Sequence, residues 1–294
     1  MRKLNAVVLL DKPPGCTSNQ ALQQVRKIYG ASKAGHTGSL DPAATGMLPI
    51  CFGEGTKLCG YLLGAAKTYE AEGVLGAVTD TDDADGEIIT RSDVPVISQQ
   101  KMQQTVIGFL GESMQRPPIY SAIKKNGIRA HKMARNGEIP ELEPRRVNVH
   151  EIELLQFDGV RFSVRMRVSK GTYVRSIVRD IGELLGCGAH VTMLRRLSVS
   201  PFDGHAMHSV GDIQEHTDKL LLSVDEVVSD WPRQTLDETT ALKFRHGSKP
   251  ALDNSSQACD KLLRVYGPQD SFLGLGKISN GRLETVRIIG SQLQ

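Results

Sequence analysis

The chain has no apolar run long enough to cross a membrane or to form the core of a secretion signal. Its first apolar run, Ala6 to Leu10, is met at once by Asp11 and Lys12 and reads as a strand. Without a targeting segment, the expected location is the cytoplasm, with no membrane association. A C-x-x-C pair is also missing. The five cysteines (Cys16, Cys51, Cys59, Cys187 and Cys259) are odd in number and scattered, which argues against a disulfide framework or a zinc site. They are expected to be reduced and mostly buried. Gly53 to Lys57 and Gly274 to Lys277 look like phosphate loops, but neither satisfies G-x-x-x-x-G-K-[ST] or G-x-G-x-x-G. The eight histidines form no H-E-x-x-H pair, and no serine sits in a G-x-S-x-G elbow. The acidic run Thr79 to Glu87 places Asp83, Asp85 and Gly86 as a calcium loop would. However, Thr81 holds the first ligand position and Ser92 the last, where a bidentate Glu is needed. Hydrolase and metalloenzyme readings lose support, and no metal site is expected.

A large charge imbalance is lacking too, since the net charge is only +3. Its distribution is more informative. Residues 116–146 carry eight Lys/Arg against three Glu, and residues 161–196 carry eight against Asp180 and Glu183. Residues 231–294 hold nine against six acids, whereas residues 1–115 hold ten against twelve. Three basic regions in a balanced chain suit phosphate contact, and each also suits an ordinary solvated face.

Helical spacing of Leu22, Val25, Ile28 and Tyr29 predicts a helix with Ser18 as N-cap and Gly30 as its stop. Tyr69, Ala71, Gly73 and Leu75 alternate with polar residues as in a half-buried strand. Phe162 to Val168 alternates likewise and presents one basic face. Val174 to Leu185 is an amphipathic helix ended by Gly186. Residues 116–146 lack periodicity and read as an irregular basic excursion. Strands and helices mix without a βαβ beat, so the fold class is α+β, with a mixed, largely antiparallel sheet in a domain spanning 1–230. After Trp231, a helical piece at Thr240 to Arg245 and three strand-like runs from Leu262 to Ile289 predict a small β-rich domain, 231–294.

Gly35 to Gly46 contains too much glycine, and Asp41-Pro42 besides, to form regular structure. Ordinary turn chemistry explains Asp41 there. A reactive carboxylate on a loop that lets a bulky ligand approach explains it as well. The whole run, GHTGSLDPAATGMLPI, resembles the catalytic motif of the TruB family, the tRNA pseudouridine-55 synthases. LLDKPPG, KTYEAEG, TDTDDADG, SKGTYVRSI and LGCGAHVTMLRRLSVS resemble further segments of that family in the same order. The resemblance spans nearly the whole chain, and the C-terminal region is more loosely similar to a PUA RNA-binding domain.

The resemblance implies that uridine 55 in the T-loop of tRNA is detached, rotated and rejoined through carbon five, with no cofactor. It places Asp41 at the catalytic position and Arg175 as its partner, where a guanidinium would hold the carboxyl's pKa low. Tyr69 matches a pocket aromatic that stacks on the base. His36 matches the histidine that takes up space left by the extruded nucleotide, and Tyr173 and Leu194 match further pocket positions. Lys12 and Asp83 fall in matching motifs and are given supporting roles in RNA binding. The excursion, with Arg116, Lys124, Lys132, Arg145 and Arg146, corresponds to an insertion pressed against the T-loop, and the C-terminal domain would meet the acceptor stem. Plainer readings stand beside these: Arg175 as a surface cation at a helix start, Tyr69 and Leu194 as core, His36 as a structural hydrogen bonder. Two rivals also remain, an RNA-guided relative and an RNA-folding chaperone. The basic excursion and the absence of charged terminal tails favour a stand-alone enzyme, monomeric and without an obligate protein partner.

Overall fold

Alternation of buried and open positions along two neighbouring strands builds the centre of the molecule. Every second residue from Lys67 to Leu75 is buried, and so is every second residue from Phe162 to Val168. The two strands pair antiparallel, with Met166 opposite Tyr69. In the computed structural model, residues 1–121, 123–125, 127–138, 140–251 and 261–290 are described. Their largest sheet has eight strands. Seven run side by side in the order Ala6–Lys12, Thr45–Phe52, Ala189–Val199, Lys67–Leu75, Arg161–Val168, Arg145–Phe157 and Gly111–Gln115. The short strand Ala34–His36 joins Thr45–Phe52 beside this path. Thr45–Phe52 and Ala189–Val199 run parallel, and the other pairings are antiparallel. The sheet is therefore mixed and largely antiparallel, as expected of an α+β fold.

Two amphipathic helices cover parts of this sheet. Helix Ser18–Ile28 buries Ala21, Leu22 and Val25 against Val8, Leu10, Leu48 and Ile50. Helix Val174–Leu184 buries Ile177, Val178 and Ile181 against Val164, Met166 and Ala71. The first helix begins one residue earlier than its sequence suggests. Thr17 is the N-cap and forms a capping box with Gln20. Ser18 is thereby released for another task, described below.

Beyond residue 231, a second sheet runs in the order Arg233–Thr235, Leu262–Tyr266, Phe272–Ser279 and Arg282–Ile288, with helix Glu238–Arg245 alongside. It closes its own core around Phe244, Val265, Leu273 and Leu283. The expected small β-rich domain is present.

Three other expectations need correction. Gly35 and His36 lie in a short strand and Thr45 and Gly46 open another, so the irregular stretch shrinks to the residues between them. Arg145 and Arg146 likewise begin a strand, and the excursion contains a two-stranded piece, Lys124–Lys125 with Ile128–Arg129, and helix Ala130–Arg135. Finally, Cys51 and Cys187 are buried, but Cys16 and Cys59 are only half-buried; all four are free thiols. Cys259 lies outside the described residues.

Candidate active site

The loop between strands Ala34–His36 and Thr45–Phe52 carries Asp41, and buried polar side chains hold it from behind. The Ser18 hydroxyl accepts from the Leu40 N–H at 2.8 Å and donates to the Leu40 carbonyl at 3.1 Å. Lys12 is 0% exposed, and its Nζ donates to the carbonyls of Pro13, Cys16 and Pro42. Arg196, also buried, spans both ends of the loop, with Nη2 donating to Gly38 O and Nε to Met47 O. Gly46 sits at φ +102°, where a Cβ would meet the Arg196 carbonyl oxygen at 2.1 Å, so only glycine fits. Leu40 and Ala44 are buried in the same cluster as Tyr69, which packs the loop onto the strand that begins at Lys67.

Asp41 Oδ2 lies 3.0 Å from Arg175 Nε. The Arg175 side chain is 6% exposed and that of Asp41 is 45% exposed, so an anchored cation presents an open carboxylate. The reading of Arg175 as a surface cation therefore fails. Its Nη1 also lies 3.4 Å from Asp83 Oδ2 and donates to the Thr81 carbonyl at 2.6 Å, and its Nη2 donates to the Tyr120 carbonyl at 3.0 Å. These contacts fix the guanidinium plane, and with it the direction in which Asp41 is held.

The protonation balance differs from the sequence expectation. Burial in the cleft pushes the Asp41 carboxyl above its ordinary value, Arg175 opposes this, and Asp83 and Asp85 add to it. One face of the carboxylate meets solvent while protein encloses the rest, and the desolvation outweighs a single guanidinium. Burial also pushes His36 down, assisted by Arg196, which favours a neutral imidazole. His36 Nδ1 is buried without a hydrogen-bond partner.

The structure separates the other sequence candidates. Tyr69 is buried in the core cluster beside the Asp41 loop, and Leu194 packs half-buried against that cluster. Tyr173 is half-buried under the Arg145 guanidinium, whose carbon lies 4.6 Å from the ring centre. Asp83 faces Arg175 rather than a surface open to RNA. Lys12 is fully buried against backbone carbonyls, so it braces the Asp41 loop and does not present its charge on the surface. Arg116, Lys124, Lys132 and Arg146 are exposed on or beside the excursion.

The basic face expected from 161–196 is largely neutralised. Arg161, Arg165 and Arg167 pair with Glu72, Glu70 and Asp203, Arg179 pairs with Asp82 and Asp180, and Arg195 pairs with Asp11. Arg116, Lys124, Arg129 and Lys132, by contrast, make no ion pair among the described residues. Sequence reasoning missed Ser18 as a loop anchor and overlooked Arg196 entirely. A second consecutive arginine, Arg195-Arg196, in the otherwise largely apolar strand Ala189–Val199 was the available signal.

Family models match three consecutive parts of the chain. They are TruB family pseudouridylate synthase (N terminal domain) over residues 26–174, tRNA pseudouridylate synthase B C-terminal domain over 175–229, and Pseudouridine synthase II TruB, C-terminal, over 232–289. The tRNA pseudouridine synthase B of Xanthomonas axonopodis pv. citri (strain 306) is 44% identical, over 98% of this chain and 94% of its own. That of Chromohalobacter salexigens is 42% identical, over 98% of this chain and 97% of its own. Among solved structures, an H/ACA RNP bound to a substrate RNA containing 2'-deoxyuridine shares the fold, with a TM-score of 0.76 at 23% identity over 98% of this chain and 86% of that one. A Cbf5-Nop10-Gar1 complex matches with a TM-score of 0.76 at 26% identity, over 98% of this chain and 85% of that one. The matched models and near full-length relatives, read with an open carboxylate on an anchored arginine, identify the chain as a member of the TruB family of pseudouridylate synthases.

Proposed function

We propose that this chain converts the uridine at position 55 in the T-loop of tRNA to pseudouridine, with Asp41 as the nucleophile or base. The observation that carries the reading is the Asp41–Arg175 pair, an open carboxylate aimed by a buried guanidinium at 3.0 Å. An isomerisation gains and loses no atoms, so the reaction requires no cofactor. Asp41 either attacks the sugar or base covalently or removes a proton as a glycal forms, and every one of these routes needs the ionised carboxylate.

A stacked uridine must be extruded before Asp41 can reach it, at a cost of about a few kcal/mol. A single stacking contact, for which Tyr69 and Tyr173 are the candidates, returns roughly 1–3 kcal/mol. His36, neutral and without a partner at Nδ1, is suited to the space that the base vacates. The unpaired cations of the excursion supply phosphate contacts against the T-loop, and the C-terminal domain supplies them against the acceptor stem. The enzyme then works as a cytoplasmic monomer without an obligate protein partner.

The test is pseudouridine mapping on unmodified tRNA transcript with wild type and Asp41→Asn side by side. Conversion of the single T-loop uridine by wild type alone is the expected outcome. If wild type binds the transcript and modifies nothing, the reading fails. The same unpaired cations would equally serve an RNA-folding role, and Asp41→Asn rescue of tRNA function in cells would favour that role.

A further inference from the structure

The excursion over residues 116–144 leaves the sheet at Gln115 and returns at Arg145, and these two residues face each other in the antiparallel register. Both of them hold Tyr173. Gln115 is 4% exposed. Its Nε2 donates to the Tyr173 carbonyl at 3.0 Å, and its Oε1 accepts from the Tyr173 N–H at 2.8 Å. One side chain thus pairs with both backbone groups of a residue 58 positions away, as a neighbouring strand would. Arg145 lies over the Tyr173 ring and, among the described residues, has no carboxylate partner and a buried Nε with no acceptor.

The first residues of the excursion are tied to the same helix. The Arg116 carbonyl accepts from Ser176 Oγ at 3.0 Å and from Arg179 Nη2 at 3.1 Å. The Tyr120 carbonyl accepts from Arg175, whose Nε reaches Asp41. The base of the excursion therefore cannot shift without moving the start of helix Val174–Leu184. Tyr173, the N-cap of that helix, has no side-chain cap of its own, so Gln115 is the side chain that fixes its backbone.

We propose that Gln115 is a positioning residue for Tyr173, through which seating of the excursion on RNA sets the pocket for the extruded base. This rests on the functional reading above, with Tyr173 lining the pocket. Gln115 does not touch the substrate and acts through Tyr173.

The experiment measures single-turnover conversion of unmodified tRNA transcript over a range of enzyme concentrations, with full-length wild type, Gln115→Met, Gln115→Glu, Tyr173→Leu and the Gln115→Met/Tyr173→Leu pair. Gln115→Met is expected to lower the rate constant at saturating enzyme about tenfold or more, with half-saturation changed less than about threefold. Gln115→Glu keeps the acceptor for the Tyr173 N–H but sets a second oxygen against the buried Tyr173 carbonyl, so its rate is expected to fall at least as far as that of Gln115→Met. In the Tyr173→Leu background, Gln115→Met is expected to change the rate less than about twofold further, because one path cannot be cut twice. A wild-type rate constant for Gln115→Met, or losses that simply multiply in the double variant, overturns the proposal. A lowered melting temperature with an unchanged rate constant overturns it too.

If wild type itself converts no uridine, the functional reading has failed, and amide exchange still judges Gln115. Added tRNA is then expected to slow exchange at Tyr173 and Val174 in wild type and not in Gln115→Met. Equal slowing in both would remove Gln115 from this role.

Discussion

At Asp41 two influences oppose each other, and their balance sets how the proposed reaction should respond to pH. Burial raises the carboxyl's pKa, Arg175 lowers it, and Asp83 raises it again. With Asp41 acting as proposed, only the ionised form reacts, so the rate should fall as pH drops through a midpoint above the ordinary Asp value of about 3.9. Removing the opposing cation with Arg175→Met should move that midpoint further upward. Asp83→Asn, which removes a like charge, should move it downward. The pH dependence of the single-turnover rate for the three proteins checks this, and a midpoint that moves the same way in both variants would refute the balance. Asp41 was legible in the sequence because a whole motif surrounds it. The sign of its shift was not legible, since a partner charge can be inferred from a motif and the depth of burial cannot. Lys12 failed for the same reason. A lysine beside a Pro-Pro-Gly turn reads as surface, yet here it reaches the carbonyl of Pro42, thirty positions away, from inside the core.

At the scale of elements, charge counted along the chain is a poor guide to charge available in space. Strand Arg161–Val168 was recognisable from its period of two, and its outward face does carry the arginines. The antiparallel register then sets Arg165 opposite Glu70 and brings Arg161 within reach of Glu72, across about ninety residues of sequence. No local pattern reports that pairing. The excursion differs because Lys124, Arg129 and Lys132 are themselves exposed, on short elements, and make no ion pair among the described residues. Replacing those three by Ala should weaken tRNA binding and reduce the slope of log affinity against log salt by roughly one per lost phosphate contact. Arg165→Ala should leave that slope unchanged, and as an exposed pair it should alter stability by only about 0–1 kcal/mol. Binding measured across a salt series separates the two. Equal slope changes would mean that the paired strand face contacts RNA after all.

Across the whole molecule, the small C-terminal sheet packs against the strands that support the Asp41 loop. Leu275 and Ile289 are buried in one cluster with Val7, Leu9, Met47 and Cys51, residues of strand Thr45–Phe52, which follows the Asp41 loop, and of Ala6–Lys12, which pairs with it. Trp231 meets Tyr61 edge-on with ring centres 5.0 Å apart, and the Gly290 N–H donates to Glu54 at 2.9 Å. Helix Ser18–Ile28 covers Val8, Leu10, Leu48 and Ile50 on those strands, so residues of both parities are buried and two layers hold the strands. A sequence that changes texture near Trp231 suggests a separable module, because composition records a boundary and not the contacts across it. Removing residues 232–294 would strip apolar cover from Val7, Leu9 and Met47. Burial of a side chain such as Leu275 or Ile289 contributes about 1.5–3 kcal/mol, so losing both, with their neighbours, amounts to a large part of a domain's net stability. The truncated chain should therefore unfold well below the full-length protein, and full-length protein should unfold in one thermal transition. Calorimetry on both checks this. Two separate transitions, with the truncated chain reproducing one of them at its original temperature, would show that the C-terminal sheet lends the Asp41 loop no support.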